Sequence, residues 1–253
     1  MTTFARIRAR YGRPAFARLD DQTFTVLSAA PWENPHDTDE KFAFPEAHLL
    51  APVTPTKVVC VGRNYRAHAA ELGNDVPAEP LLFFKPPSSI VGPDDAIELP
   101  SVSSHVDHEA ELGVVIGTRC RNVSADDALQ HVFGYTCVND VTARDLQKKD
   151  GQWARAKGFD SFCPVGPLLV TNLDPTTRAV RCRVKETLRQ DGNTRDMIFS
   201  VRTLIAYISA IMTLEPGDLI ASGTPHGVGP LVDGDHVEVE IDGIGVLRNS
   251  VRR

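Results

Sequence analysis

The sequence has no excess of positive charge and no long apolar run. Its 27 Lys and Arg residues are outnumbered by 33 Asp and Glu residues, which gives a formal net charge of −6. Nucleic acids and anionic membranes are bound through basic surfaces, so this balance argues against both as partners. No stretch approaches the roughly 18 apolar residues of a membrane span, and no apolar signal region follows the basic N-terminal segment. We therefore expect a cytoplasmic protein with a small-molecule partner.

Cysteine pairs typical of disulfides, redox motifs or zinc sites are missing as well. The five cysteines are an odd number, and no two of them form a Cys-x-x-Cys pair. Most of them lie in apolar or β-branched runs, where free cysteine acts as a small core residue. We expect buried, reduced thiols.

Three common catalytic motifs are also absent. The chain has no Gly-x-Ser-x-Gly, which argues against an α/β-hydrolase serine nucleophile. His108 and Glu109 lack the second histidine of a zinc protease motif. The Gly- and Pro-rich loop at 222–230 has no Gly-Lys-Ser/Thr, which argues against a nucleotide site. Its backbone N–H groups and the Thr224 hydroxyl are instead predicted to bind an anion.

The chain divides into a short N-terminal part and a longer main part. Residues 1–54 carry two alternating runs and end in a proline-spaced stretch, which predicts a small β-rich domain and a linker. Residues 55–253 contain many strand candidates and a closing hairpin with Asp-Gly turns. Helices are predicted after the N-cap candidates Ser124 and Ser200. The class is strand-rich α+β, and we expect a β-sandwich or roll with helices packed on it.

The strongest chemical signal is the segment DHEAELGVVIG at 107–117. Glu109 and Glu111 are two positions apart on a predicted strand, so both carboxylates face one side. Burying such a pair beside an apolar run is costly, and a divalent cation removes the conflict. Asp140, at the end of another predicted strand, supplies a third carboxylate, and oxygen ligands suit Mg²⁺, Mn²⁺ or Ca²⁺. The same spacing also fits an exposed edge strand with two solvated glutamates.

Two pairs of polar residues have helical i, i+3 spacing. His68 and Glu71 form the first pair, which suits a general base whose imidazole is supported by a carboxylate. Arg144 and Gln147 form the second, which suits recognition of a substrate carboxylate. Lys157 lies just before a predicted strand. From spacing alone, all five fit a solvated surface equally well.

The longer part of the chain contains the motifs VGRNYRAHAAELG, LFFKPPSSIVGP, DHEAELGVVIG, NDVTARDLQ, AKGFDSFCPVGP, DGNTRDMIFSV and SGTPHGVGP. These seven motifs, in this order, resemble the fumarylacetoacetate hydrolase family and cover roughly residues 57–250. The resemblance implies a mixed β-sandwich roll, usually a homodimer, and the N-terminal part resembles a small domain of many bacterial members. Two departures stand out: His226 where lysine is common, and KETLRQDGNT at 185–194 where many relatives have Asn-Gly, which leaves a turn in doubt.

The resemblance also implies roles for individual residues. Mg²⁺ or Mn²⁺ is expected on Glu109, Glu111 and Asp140. The expected catalytic residues are His68, Glu71 and Lys157, with the first two activating water on a lid segment. Substrate contacts are expected from Arg63, Tyr65, Lys85, Arg144, Gln147 and Thr224.

These features predict a metal-dependent hydrolase that cleaves a C–C bond of a 3-acylpyruvate, such as fumarylpyruvate or acetylpyruvate. The ion would stabilise an enolate of the 2-oxo acid while His68 activates the attacking water. The same core also suits a 2-hydroxy-dienedioate isomerase or decarboxylase, or an oxaloacetate decarboxylase. A noncatalytic β-sandwich that binds a metal or a small acid is the alternative from another class. The expected partners are a small 2-oxo acid and a second copy of the chain.

Overall fold

The N-terminal part folds into an antiparallel meander in the computed structural model, which describes residues 1–71, 73 and 75–253. Alternate residues of its first strand, Ala5 and Ile7, are buried, as the period of two predicts. They pack with Phe24 and Val26 in a small core. The strands are β1 (Thr3–Arg8), β2 (Pro14–Asp20), β3 (Thr23–Leu27), β4 (Asp37–Ala43) and β5 (Leu49–Leu50).

The main part adds further strands and four short helices within the described residues. The strands are β6 (Val58–Gly62), β7 (Leu81–Lys85), β8 (Ile90–Val91), β9 (Ala96–Glu98), β10 (Val106–His108), β11 (Ala110–Ile116), β12 (Val132–Asn139), β13 (Thr142–Ala143), β14 (Cys163–Val170), β15 (Ala179–Val184), β16 (Thr187–Asn193), β17 (Leu219–Ala221), β18 (Gly229–Pro230), β19 (His236–Ile241) and β20 (Gly245–Arg252). The helices are α1 (Arg66–Glu71), α2 (Arg144–Asp150), α3 (Ala154–Gly158) and α4 (Val201–Ile211).

Two large sheets pack against each other, and a three-stranded sheet in the order β13-β10-β18 lies beside them. The larger runs β4-β3-β2-β1-β14-β12-β11-β17-β6-β7, and the second runs β16-β15-β19-β20-β9. The main core lies between them, where Leu112 and Cys137 of one sheet join Val180, Val239 and Leu247 of the other. This arrangement confirms the predicted strand-rich α+β sandwich.

The N-terminal meander joins the main part edge to edge. Strand β1 pairs antiparallel with β14, with Thr3 opposite Val170. The proline-spaced stretch is not an exposed linker, because Ala51 and Val53 are buried in the core beneath the large sheet. The boundary at residue 54 between the N-terminal domain and the main domain remains a prediction.

One predicted helix forms as expected and the other does not. Ser200 caps α4 by accepting a hydrogen bond of 3.3 Å from the Thr203 backbone N–H. The segment after Ser124 forms only a short 3-10 turn over Ala128–His131. The Ser124 hydroxyl accepts from the Asp127 backbone N–H at 3.2 Å, as a cap does, and it also donates to the Asp127 carboxylate at 2.7 Å, which closes a local turn.

Several smaller predictions have clear outcomes. All five cysteines are free and buried, as expected. The closing β19–β20 hairpin forms, with Ile241 opposite Gly245. The turn left in doubt forms between β15 and β16, where Lys185 and Glu186 both have positive φ, 47° and 65°. Among the described residues, no helix is long and apolar enough to cross a membrane.

Candidate metal and catalytic site

Three carboxylates meet where β11 and β12 pair. Glu109 and Glu111 flank Ala110, which lies opposite Asn139, and Asp140 follows Asn139 directly. The backbone N–H of Asp140 donates to the Glu109 carbonyl at 2.9 Å. One carboxylate oxygen from each of the three acids lies within 4.8 Å of the others. The acids are at most 3% exposed, so the interpretation as solvated glutamates on an edge strand is wrong.

Two of the three acids are neutralised by buried cations. Lys157 Nζ donates to Glu109 at 2.8 Å and to Asp140 at 2.6 Å, and Lys85 Nζ donates to Asp140 at 2.6 Å. Arg144 forms a further ion pair with Glu109. Burial acts to raise the pKa of Glu109, but the charges of Arg144 and Lys157 outweigh it and lower that pKa.

Glu111 is the acid that has no such cation among the described residues. Its carboxylate accepts a hydrogen bond of 2.8 Å from the Gly223 backbone N–H. Burial, followed by the charges of Asp140 and Glu109, raises the pKa of Glu111 well above its usual range. A divalent cation among the three carboxylates would relieve this repulsion, and three oxygen donors suit a hard ion. The residues therefore fit the predicted Mg²⁺ or Mn²⁺.

His68 and Glu71 form a pair that faces the three carboxylates. Nδ1 of His68 lies 3.2 Å from Oε2 of Glu71, as the i, i+3 spacing on α1 predicts. The other carboxylate oxygen of Glu71 accepts a hydrogen bond of 2.9 Å from the Gly227 backbone N–H. His68 is 4% exposed, so a solvated surface histidine is excluded. Leu72, the next residue of this motif, lies outside the described residues.

A single cavity of about 440 Å³ joins these groups. The wall also contains Phe83, Lys148 and Trp153, which were not predicted as site residues because none of them forms a spaced pair with another polar group. The predicted site residues in the wall are Arg63, His68, Glu71, Glu109, Glu111, Asp140, Arg144, Gln147, Lys157 and Thr224.

Arg144 and Gln147 are linked on the first turn of α2. The Arg144 guanidinium donates to Oε1 of Gln147 at 3.0 Å and to Asp107 at 2.8 Å. Because the amide oxygen of Gln147 is occupied by Arg144, its NH₂ group is available to donate to a ligand. Asp107, which sequence analysis did not select, holds Arg144 in place.

Lys157 lies in the short helix α3, and strand β14 follows it along the chain, as its predicted position before a strand requires. Its ammonium group lies 4.8 Å from the centre of the Phe83 ring, and Phe83 packs edge-on against Trp153 at 5.2 Å. The two aromatic rings therefore form one wall of the cavity and cover Lys157.

Part of the loop at 222–230 binds carboxylates of the chain itself, and binding of an external anion by the loop stays a prediction. Its N–H groups at Gly223 and Gly227 are taken by Glu111 and Glu71. The Thr224 hydroxyl donates to the Ala110 carbonyl at 2.9 Å. Its single proton is therefore not free for an anion.

Gln190, another residue that sequence analysis missed, fixes this loop. Its Oε1 accepts from the Ala110 backbone N–H at 3.0 Å, and its Nε2 donates to the Pro225 carbonyl at 2.8 Å. Because those two backbone partners have fixed roles, the orientation of the amide is determined. The partners lie far away in the sequence, so no local pattern marks Gln190.

Two predicted substrate-binding residues do not line this cavity in the described part of the chain. Lys85 is 1% exposed and lies behind Asp140, where it also donates to the Val141 carbonyl at 3.0 Å. Tyr65 lines a separate cavity of about 460 Å³ with Asp196 and His226. The geometry gives Lys85 a positioning role toward Asp140.

Comparison with known proteins gives two family matches. The model described as Fumarylacetoacetate (FAA) hydrolase C-terminal matches residues 57–252. The model described as Rv2993c-like, N-terminal matches residues 3–52.

Three relatives of this chain have names that state an activity, and the three names give different reactions. An oxaloacetate tautomerase of Homo sapiens mitochondria is 48% identical over 219 residues, which cover 81% of this chain and 70% of that protein. A structure named as 2-hydroxyhepta-2,4-diene-1,7-dioate isomerase from Mycobacterium marinum is 44% identical, with a TM-score of 0.93 over 100% of this chain and 99% of that one. A fumarylpyruvate hydrolase from Pseudomonas aeruginosa, in complex with Mn²⁺ and pyruvate, is 35% identical, with a TM-score of 0.75 over 80% and 91% of the two chains.

Proposed function

Because this chain belongs to the fumarylacetoacetate hydrolase family, we propose that it is a metal-dependent hydrolase of a 3-acylpyruvate. Members of this family are enzymes that include hydrolases, isomerases and tautomerases. In the proposed reaction, water adds its hydroxyl group to the acyl carbon of the substrate. The bond between that carbon and the pyruvate methylene breaks, and the methylene carbon takes up a proton. The products are pyruvate and an acid.

The observation that supports hydrolysis is the position of the His68–Glu71 pair, in the same cavity as the three carboxylates. With Nδ1 of His68 donating to Glu71, the Nε2 lone pair is left free to take a proton from water. The carboxylate of Glu71 stabilises the charged imidazole that results. The Gly227 N–H holds that carboxylate in place.

The remaining residues bind and orient the substrate. The NH₂ group of Gln147 and the unused N–H groups of Arg144 are donors for the 2-oxo acid carboxylate. Lys157 offsets negative charge that develops beside it. A Mg²⁺ or Mn²⁺ ion on Glu109, Glu111 and Asp140 would supply Lewis acidity toward the substrate oxygens.

A second candidate is keto–enol tautomerisation of oxaloacetate, favoured by the 48% identity to the human tautomerase. His68 would then move a proton between the C3 carbon and the 2-oxo oxygen without an attacking water. Isomerisation of a 2-hydroxy-dienedioate requires similar proton transfers. Decarboxylation of oxaloacetate releases CO₂ and leaves the pyruvate enolate, whose methylene carbon then takes up a proton, so no attacking water is needed.

The deciding test is pyruvate release from acetylpyruvate and fumarylpyruvate, with Mg²⁺, with Mn²⁺ and with a chelator. We expect metal-dependent release from at least one of them. Oxaloacetate is assayed in parallel for enol–keto interconversion and for loss of CO₂. Turnover of oxaloacetate without turnover of either acylpyruvate would overturn the hydrolase proposal in favour of the second candidate.

Three further expectations stand as proposals of the same kind. They are a cytoplasmic location, a homodimeric assembly, and the absence of nucleic acid and membrane among the partners. A noncatalytic binding protein would leave the His68–Glu71 pair without a role. That alternative would be favoured if the unmodified protein bound Mn²⁺ at the three carboxylates but turned over none of these substrates.

A further inference from the structure

Helix α1 contributes residues to two cavities. His68 and Glu71 line the cavity of the three carboxylates, whereas Arg66 and Ala67 line a second cavity of about 460 Å³. Among the described residues, the two linings have no residue in common. A cavity of this volume is large enough for a small organic molecule, and none of the proposed catalytic steps uses it.

One wall of the second cavity carries a buried hydrogen-bond donor. Tyr65 is 2% exposed, and its hydroxyl has no hydrogen-bond partner in the part of the chain that the structure describes. Burial, followed by the charges of Glu111 and Asp196, raises the pKa of Tyr65, so the hydroxyl keeps its proton. Buried polar groups are costly unless they are hydrogen-bonded. A ligand oxygen that accepts a hydrogen bond from this hydroxyl would remove that cost.

The charges around the second cavity leave one cation without a partner. Asp191 is paired with Arg181 at 3.1 Å, and Asp196 lies 3.9 Å from the Arg195 guanidinium. Arg66 is exposed, and its side chain has no ion pair or hydrogen bond with the described residues. Because both acids in the lining already have an arginine beside them, the guanidinium of Arg66 is available to an anion.

The lining also includes the supports of the proposed base. The carbonyl of Tyr65 accepts a hydrogen bond of 3.0 Å from the Ala69 backbone N–H, which closes the first turn of α1. His226 directly precedes Gly227, whose backbone N–H holds the Glu71 carboxylate at 2.9 Å. A ligand that contacts both segments would therefore hold the base and its carboxylate in place.

We propose that the second cavity binds a small organic anion that activates the enzyme. The charged group of the ligand binds at Arg66, and a neutral oxygen deeper in the cavity accepts a hydrogen bond from the Tyr65 hydroxyl. The existence of this site is independent of the reaction, whereas the activation rests on the function proposed above. Because the ligand stabilises the catalytic arrangement of α1, its binding and the order of that helix are coupled.

The test uses two pairs of probes, one with carboxylates and one with phosphates. The pairs are 4-hydroxybutanoate with butanoate and glycerol 3-phosphate with propyl phosphate, and the members of each pair differ only in hydroxyl groups. Dissociation constants are measured by calorimetry with chelator, which prevents binding of the probes to an ion at the three carboxylates. The variants are Tyr65→Phe and Arg66→Gln. The controls are Tyr207→Phe and Arg10→Gln, since neither residue lines this cavity.

We expect the hydroxylated member of at least one pair to bind about five-fold more tightly than the other member, as one hydrogen bond would produce. Tyr65→Phe should abolish this difference, and it removes no contact within the protein. Arg66→Gln should weaken both members of that pair about ten-fold. The pair that binds identifies the charged group as carboxylate or phosphate. Absence of binding, equal affinity within both pairs, or equal losses in the control variants would overturn the site.

Activation is measured separately, with Mg²⁺ and an acylpyruvate. We expect a saturating hydroxylated probe to raise kcat/KM several-fold in the unmodified protein, and this rise should be lost in Arg66→Gln. Binding without any rise would overturn the activating role. If no acylpyruvate is turned over, the proposed function fails, while the binding measurements still decide whether the second site exists.

Discussion

Nε2 of Gln190 donates a hydrogen bond of 2.8 Å to Oγ1 of Thr224, across 34 positions of sequence. Because the hydroxyl accepts this bond and donates to the Ala110 carbonyl, Thr224 presents no proton to the cavity. Toward a ligand it is an acceptor, which suits a water or an enol hydroxyl better than a carboxylate.

Replacing Gln190 with Leu should destabilise the protein. The change leaves the Ala110 N–H and the Pro225 carbonyl buried without partners, so we expect the free energy of unfolding to fall by about 3 kcal/mol. Chemical denaturation measures it, and Gln152→Leu, at an exposed position, is the control. A change below about 0.5 kcal/mol, the usual effect of a surface substitution, would contradict the role given to Gln190.

Removal of the proposed base should separate catalysis from metal binding. We expect His68→Ala to lower kcat for acylpyruvate hydrolysis by about 10²–10⁴-fold, the usual contribution of a positioned acid or base. Mn²⁺ affinity, measured by calorimetry, should remain close to that of the unmodified protein. Hydrolysis near the original rate would exclude His68 as the base.

The buried carboxylate of Glu111 should make the metal-free protein lose stability as the pH rises above the ordinary carboxyl range. Because its pKa is raised in the folded state, the folded protein holds this proton more tightly than the unfolded chain does. The contribution to stability is therefore full below the ordinary value of 4.5 and is lost as the pH rises toward the folded pKa. Glu111→Gln should remove this loss when unfolding is measured with chelator from pH 5 upward.

The same variant should weaken Mn²⁺ binding, because a neutral amide replaces a charged ligand. Saturating Mn²⁺ should also suppress this loss of stability with rising pH in the unmodified protein. Identical pH profiles for the two metal-free proteins would contradict the assignment of the titration to Glu111.

Lys85 should contribute to stability although it does not line the cavity. Lys85→Met would leave the buried Asp140 with one cation fewer, so we expect the metal-free protein to lose about 3 kcal/mol. Lys149→Met is the control at an exposed lysine. If both variants unfold at the same denaturant concentration, Lys85 has no such role.

The turn between β15 and β16 should gain stability from glycine. Glu186 adopts a φ of 65°, which glycine reaches without strain. We expect Glu186→Gly to raise the free energy of unfolding by about 1 kcal/mol, as measured by chemical denaturation. Glu186→Ala retains the strain, so a similar gain in that variant would contradict this explanation.

Local patterns predicted the parts of the site that are close together in sequence. The Glu109–Glu111 spacing indicated a shared face, and the His68–Glu71 spacing indicated a contact on one helix. Ser200 marked the start of α4 because its cap bonds lie within three residues. Ser124 carries a similar signal and makes the same bond to the N–H three residues on, but only a short 3-10 turn follows it.

Contacts between distant segments could not be predicted in this way. Gln190 reaches the site because a hairpin of the second sheet packs against the loop of Thr224, and no spacing within 185–194 encodes that contact. The left-handed conformation of Arg63, whose φ is 57°, is equally invisible in sequence, since arginine has no preference for it. The role of Lys85 depends on the pairing of β7 with β6, which places it behind Asp140.

The pairing of β1 with β14 also prevents β14 from pairing with strands of other molecules through its backbone N–H and C=O groups. The N–H and C=O groups of a strand at an open edge are a template for strands of other molecules, which favours aggregation. Here β1 covers β14 at Leu169 and Val170, and β8 covers it at Cys163 and Pro164. The meander then ends in β4, whose residues alternate between exposed and half-buried and include Asp37, Asp39, Glu40 and Lys41. Charged side chains on an edge strand discourage further pairing, so the N-terminal meander replaces an apolar edge with a charged one.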